Sequence, residues 1–335
     1  MLSVRPECKS MYRRYCGNPS SNSICKEMTD TIKDRCVYST RVCGMERCAQ
    51  GWQLRGVVGK EDRETDLGCF NVVIWSSPSN GHDKWNRLYG MPPPISAQTA
   101  PTLGPTLAEL DVFEPCFSVM LVFDRKLLEL PFDLAFVKGS DKLAKVVCDS
   151  CKPGRQELLP SPEWQTWVLL SNTEYAKHVL STAPPGSAPA ALLEQVAAEL
   201  VAALRDASQP LFDAASSVMP EPIFAKGHRW GAAYPAAIMR EPTLSEPGLG
   251  ILVCGDFCVS PDIEGAVKSG YAAAEAAAKM RSPGALQPRS SAGALEPSAQ
   301  AAKIAVANPI VDLDGDEMSR VMSTCLSPLG VVRRH

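Results

Sequence analysis

No Gly-x-Gly-x-x-Gly occurs in this 335-residue chain. The familiar glycine-rich cradle for a dinucleotide pyrophosphate is therefore not readable in it. No apolar run approaches the roughly 20 residues that span a bilayer, and the opening stretch, MLSVRPECKS, lacks the apolar core of a secretory signal. An intracellular, soluble protein without a membrane partner is expected. Charge of either sign is not in excess: 34 Lys and Arg face 37 Asp and Glu, for a net charge of −3. That leaves no basic footprint for nucleic acid. One Cys-x-x-Cys, Cys148 with Cys151, has no second such pair and no His pair to complete it. A structural zinc needs four ligands, so no metal site is expected. The surrounding VVCDSCKPGR reads as a strand entering a Lys-Pro-Gly turn.

Cysteine itself is abundant, 13 in all, with seven in the first 70 residues. Without a secretory signal these are expected as free thiols rather than as a disulfide framework. The length suits one large domain or two ordinary ones.

Ile24, Met28 and Ile32 recur every fourth residue and predict a helix over Asn22 to Lys33, capped by Ser20, Ser21 or Asn22. Strands are expected over Val37–Met45, Gly51–Arg55 and Phe70–Trp75, and a loop over 76–106, which is rich in Pro, Ser and Gly. In PCFSVMLVFD, Phe117, Val119, Leu121 and Phe123 alternate with their neighbours. FDLAFVKG, KLAKVVCD and WQTWVLLS follow, separated by turn residues, which is an antiparallel-sheet pattern. Leu193, Val196, Leu200 and Leu204 then form one apolar helical stripe, read as a core-packing face.

The most informative stretch is GILVCGDFCVSPDIEGAVKSGYAAAEAA. A short apolar strand runs into a Gly-Asp turn. Ser260 is placed to cap a helix, Pro261 to fill its first position and Asp262 to sit in its first turn. Gly265, Ala266, Ser269, Gly270, Ala273 and Ala274 keep that helix thin. A thin helix allows close approach to a sheet or to a flat ligand, and the pattern fits either.

Taken in order, YCGNPSSNSICKEMTD, TRVCGMERCAQGWQLRG, FNVVIWSSP, PCFSVMLVFDRKLLELPFDLAFVKGS, CDSCKPGR, HRWGAAYP and GDFCVSPDIEGAVKSGYAAAEAA carry a family resemblance. Over roughly residues 12 to 283 the chain resembles renalase-like FAD-dependent oxidoreductases, of the amine-oxidase-like flavoprotein group. The resemblance implies an α/β (α+β) fold: an incomplete FAD/NAD(P)-binding Rossmann-like domain, 12–75 with 246–283, and an antiparallel-sheet substrate domain, 76–245. It implies FAD-binding positions at Gly255 and Asp256, at the helix start Ile263, Glu264 and Gly265, and at Val42, whose strand gives backbone contacts to adenine in related flavoproteins. Ser76, Ser77 and Pro78 are implied to lie near the cofactor. A helix N-terminus suits an anionic cofactor, since its amides are free and carry partial positive charge.

The glycine loop and the acidic ribose ligand of such proteins are expected to be missing, with the strand that carries them. Ser20 and Ser21 stand where the family shows Gly-Met. After a Ser/Pro/Ala/Gly-rich linker, 284–302, the segment 303–335 contains KIAVANPIVDLDGDEMSRV. This resembles the N-terminal strand and helix of NADP-dependent isocitrate dehydrogenase and holds none of that enzyme's metal, isocitrate or NADP residues. DLDGDE lacks the Glu at position twelve that a calcium loop needs. A fused or misassembled gene product is expected.

The resemblance implies a small-molecule substrate, dihydronicotinamide- or amine-like, that passes a hydride to flavin and then to oxygen. His228, Arg229, Trp230 and Tyr234 are substrate-side candidates; Arg229 as an ion pair and Trp230 as packing are equally open. The alternatives are a non-catalytic remnant or partner-binding module, and an isocitrate dehydrogenase read from the tail alone, which fails on site content.

Overall fold

The computed structural model describes residues 16–18, 20–59, 63–110, 113–183 and 188–280, and the backbone of 310–311. The expected linker, 284–302, and most of the dehydrogenase-like segment, 303–335, lie outside the described residues. In chain order the elements are α1 (Asn22–Asp30), β1 (Cys36–Val37), β2 (Thr40–Cys48), β3 (Gly51–Val58), β4 (Glu64–Phe70), β5 (Val73–Trp75), α2 (Lys84–Tyr89) and α3 (Leu103–Ala108). Then come β6 (Phe113–Phe123), β7 (Leu134–Phe136), β8 (Leu143–Cys148), β9 (Gln165–Ser171), α4 (Thr173–Thr182) and α5 (Ala190–Ala214). The last are β10 (Phe224–Pro235), β11 (Leu244–Glu246), β12 (Ile251–Val253), α6 (Asp256–Val259), α7 (Ile263–Met280) and β13 (Ile310–Val311).

These elements form two compact units. The described residues of the first fall within Met1–Thr31 and Phe113–Tyr234. Its centre is a five-stranded sheet in the order β10-β6-β9-β8-β7, antiparallel at β6/β9, β9/β8 and β8/β7. This is the antiparallel sheet that the strand spacing predicted. Phe117, Val119, Leu121 and Phe123 share one face of β6 and pack in one core with Val196, Leu200 and Leu204 of α5. The helical stripe is thus a core face, with Leu193 at its half-buried edge. On the opposite face Cys116, Ser118, Met120 and Val122 are buried as well, so the strand is covered on both sides.

The described residues of the second unit fall within Ile32–Val112 and Pro235–Asp314. It holds an antiparallel meander, β2-β3-β4, and a three-stranded sheet, β11-β12-β5. In that second sheet β12 runs parallel to β5, with Ile251, Leu252 and Val253 opposite Val73, Ile74 and Trp75. Residues far apart in sequence are thereby neighbours. Val42, Trp52 and Leu54 of the meander share a core with Val73, Trp75, Ile251, Val253 and Phe257. The Trp52 indole N–H donates to the Leu249 carbonyl at 2.7 Å, fixing the meander to the entry of β12. A two-residue parallel bridge joins β13 to β1.

Several sequence expectations are corrected. The first helix ends at Asp30, its N-cap Ser21 makes no side-chain cap bond, and none of its residues is buried. The apolar repeat there packs on no core among the described residues, and Met28 is 55% exposed. The segment 76–106 is not loop throughout, because α2 and the start of α3 lie within it. β4 and β10 were not read as strands: the acidic residues of the first and the Gly and Pro of the second hide their period. Cys48 and Cys69 form a disulfide, contrary to the expectation of free thiols. Pairing of β3 with both β2 and β4 brings their ends together. The other nine cysteines among the described residues are free.

Candidate functional site

Gly255 follows β12 with φ +147°, a backbone conformation that side-chain-bearing residues rarely adopt. A Cβ there would lie 2.8 Å from the Phe257 ring and 3.3 Å from the Ser76 carbonyl oxygen. Backbone meets backbone at this point. The Cys254 N–H donates to the Trp75 carbonyl at 2.8 Å, prolonging the β5–β12 pairing up to the turn. The two turns expected near a cofactor, Ser76–Pro78 and Gly255–Asp256, are therefore adjacent. Two buried polar atoms flank the first turn, Trp75 Nε1 and Asn80 Oδ1, and neither has a hydrogen-bond partner among the described residues.

Ser269 holds the Gly-Asp turn from behind. Its fully buried hydroxyl accepts from the Gly255 N–H at 2.9 Å and donates to the Pro242 carbonyl at 2.7 Å. The sequence showed Ser269 only as a small residue of a thin helix; its polar role needs the fold. Gly265, Ser269 and Ala273 form the buried stripe of α7. The expected cap is shifted. Asp262, not Ser260, caps α7: its Oδ1 accepts from the Gly265 N–H at 2.6 Å and from the Ser260 hydroxyl at 3.0 Å. Ser260 instead closes the short helix α6 in an extended conformation. A Cβ on Gly265 would strike the Ser260 carbonyl, so the two helices meet too closely for any other residue.

Ile263 and Glu264 open α7, and their N–H groups have no carbonyl in their own helix to bond. Ile263 is exposed. The Glu264 carboxylate pairs with Lys268 at 2.6 Å on the helix surface. Asp256 accepts from the Phe257 N–H at 2.9 Å. Burial raises its carboxyl pKa above the ordinary value, a shift that this hydrogen bond opposes. Val42 is buried in the same core as Val73, Val253 and Phe257. Every expected cofactor-side residue thus lies in the second unit.

The substrate-side candidates lie in the first unit, on β10. His228, Trp230 and Tyr234 fall on one face by the strand period of two. The Trp230 indole donates to the Ser118 hydroxyl at 2.8 Å, and the His228 ring meets Trp230 edge-on at 4.4 Å between centroids. Burial, then the neighbouring Cys116 thiol, pushes the Tyr234 phenol up to about 12. Arg229 falls on the other face of the strand. Ser118 and Cys116 are partners that reading the sequence missed, because the alternation along β6 singles out only the residues of its other face. No cluster of three or more metal-ligating side chains occurs among the described residues. No described helix is long and apolar enough to cross a membrane.

No protein-family model matches the sequence. Among solved structures, a putrescine oxidase variant redesigned in its cofactor binding is similar, with a TM-score of 0.51 at 14% identity. The match covers 78% of this chain and 53% of that one. Its fold is amine-oxidase-like. Wild-type putrescine oxidase bound to putrescine aligns at a TM-score of 0.47 and 14% identity, over 78% of this chain and 53% of its own. An oxidoreductase from Methanosarcina mazei aligns at 0.45 and 12%, over 70% of this chain and 49% of its own. The chain spans about half the length of these proteins.

Proposed function

We propose that this chain is a flavin-binding module of an oxidoreductase of the renalase or amine-oxidase type. The observation that carries this reading is the meeting of the Ser76 and Gly255 turns across the parallel β5–β12 pair. The residues fit FAD on that side. The amides of Ile263 and Glu264 suit an anionic or carbonyl group, helped by the dipole of the 18-residue α7. The unpaired Trp75 N–H and Asn80 carbonyl add a donor and an acceptor beside the first turn.

FAD, if held there, would supply the redox chemistry: hydride transfer from a dihydronicotinamide- or amine-like substrate, then reduction of oxygen. The chain's own residues bind and orient. Val42 holds the meander strand beside the turns. His228, Arg229, Trp230 and Tyr234 are the substrate-side candidates. Tyr234, with its pKa pushed up to about 12, stays protonated at neutral pH and donates a hydrogen bond.

The test is calorimetric titration of the purified chain with FAD. Without a Gly-x-Gly-x-x-Gly, the second set of pyrophosphate donors is lacking. Each lost charge-assisted hydrogen bond is worth about 1.5–3 kcal/mol, and about 1.4 kcal/mol is tenfold in affinity. Saturable binding in the micromolar range or weaker is expected. A submicromolar Kd would show that other residues replace the glycine loop. No saturable binding at millimolar FAD overturns the flavin reading and favours a non-catalytic binding module.

A further inference from the structure

The Cys-x-x-Cys motif belongs to neither surface described above. Cys148 ends β8 and is fully buried in the core of the first unit, whereas Cys151 is exposed. The residues between them form a closed turn pinned to β9. The Asp149 N–H donates to the Thr166 carbonyl at 2.8 Å, and the Lys152 N–H returns to the Asp149 carbonyl at 3.1 Å. The Thr166 N–H donates to the Ser150 hydroxyl at 3.2 Å, and Lys152 Nζ pairs with Asp149 Oδ1 at 2.6 Å. This turn folds the second sulfur back over the first, and the two Sγ atoms lie 2.7 Å apart. A disulfide bond measures about 2.05 Å, so bonding needs the sulfurs to close by less than about 1 Å. A metal does not account for the pair, since no group of three or more side chains placed to hold one occurs among the described residues.

We propose that Cys148 and Cys151 form a reversible dithiol–disulfide site that exchanges with low-molecular-weight disulfides. The exposed Cys151, as thiolate, attacks one sulfur of the small disulfide. A Cys151 mixed disulfide forms and one small thiolate leaves. Cys148, as thiolate, then attacks the Cys151 sulfur; the intrachain bond forms and the second small thiolate departs. Both protein protons end on the two released thiols, and the small disulfide is the oxidant, reduced by two electrons. The difference in exposure assigns the order, because only Cys151 meets a reagent from solvent.

The charge environment sets the pH response. Burial, then Cys148 on β8 and Asp133 ahead of β7, all raise the Cys151 thiol, while the Asp149–Lys152 pair on the turn is internally neutralised. The thiolate fraction is therefore small at neutral pH, and exchange accelerates as pH rises.

The experiment equilibrates the reduced full chain with glutathione and glutathione disulfide, quenches with acid, alkylates, and maps the peptide carrying both cysteines by mass spectrometry. The wild-type peptide is expected to lose two hydrogens reversibly as the ratio turns oxidising. In Cys148→Ala the resolving thiol is gone, so glutathione should persist on Cys151 at about tenfold or more the wild-type level. In Cys151→Ser the buried Cys148 should stay unmodified. Two alkyl groups on the wild-type peptide at every ratio would overturn the proposal, whatever the variants do. So would a wild-type glutathione adduct on Cys151 that never resolves.

Discussion

In the five-stranded unit, Phe117, Leu121, Phe123 and Trp167 fill the core with large side chains, each 0% or 1% exposed. Around Gly255 in the other unit the packing is of another kind. There the Ser76 and Gly255 backbones touch, and a stripe of Gly265, Ser269 and Ala273 turns the small side of a helix inward. The first kind of packing is held by buried area and fails when volume is removed. The second is held by the absence of side chains and fails when atoms are added. The difference teaches what each kind of packing leaves accessible: backbone amides come within reach of a neighbouring group only where side chains stand aside.

The contrast is most easily broken on the large-residue side. Phe117→Ala should destabilise the protein by about 3–5 kcal/mol, since it deletes a fully buried ring that packs on Tyr175. Urea unfolding followed by tryptophan fluorescence measures this, and a loss below about 1 kcal/mol would mean that the core collapses around the gap. On the other side, Gly255→Ala adds one methyl group. It places a Cβ at φ +147° and within 2.8 Å of the Phe257 ring. The expected cost is about 1–3 kcal/mol, read by the same unfolding curves. Alanine tolerated there without loss would mean that the turn can relax, and the contrast between the units would weaken.

The smallest effect is electrostatic. Burial raises the Asp256 pKa, so the folded protein holds that proton more tightly than the unfolded chain does. Its contribution to stability is fully present below the unfolded value and is lost as pH rises through the folded value. In Asp256→Asn that decline should vanish, so the variant gains on the wild type as pH climbs from acid to neutral. Unfolding midpoints across that range check the sign. An unchanged difference at every pH would place Asp256 in water rather than in the turn.

The strands of the five-stranded sheet are legible because alternation and turn residues mark β6, β7, β8 and β9 locally. The helical stripe of α5 is legible for the same reason, at a period of 3.6. β10 is not, because Gly227, Gly231 and Pro235 interrupt its period. β4 is not, because Glu64, Thr65 and Asp66 give it no apolar face. In the other unit the sequence shows the Gly255–Asp256 turn and the thin helix after it. It does not show that Asp262 rather than Ser260 supplies the cap. Both residues have a suitable oxygen, and only the backbone path decides which one reaches the Gly265 N–H.

The sequence by itself determined the antiparallel sheet, the core face of α5 and the place of the Gly-Asp turn. These rest on local period, local propensity and residue size, which neighbours in the chain already carry. Only the tertiary structure decided that β5 lies beside β12, that Ser269 holds the Gly255 amide, and that Cys151 curls over Cys148. It also decided that both faces of β6 are buried. Each of these joins groups whose proximity depends on chain closure and burial, and no short window of sequence encodes either.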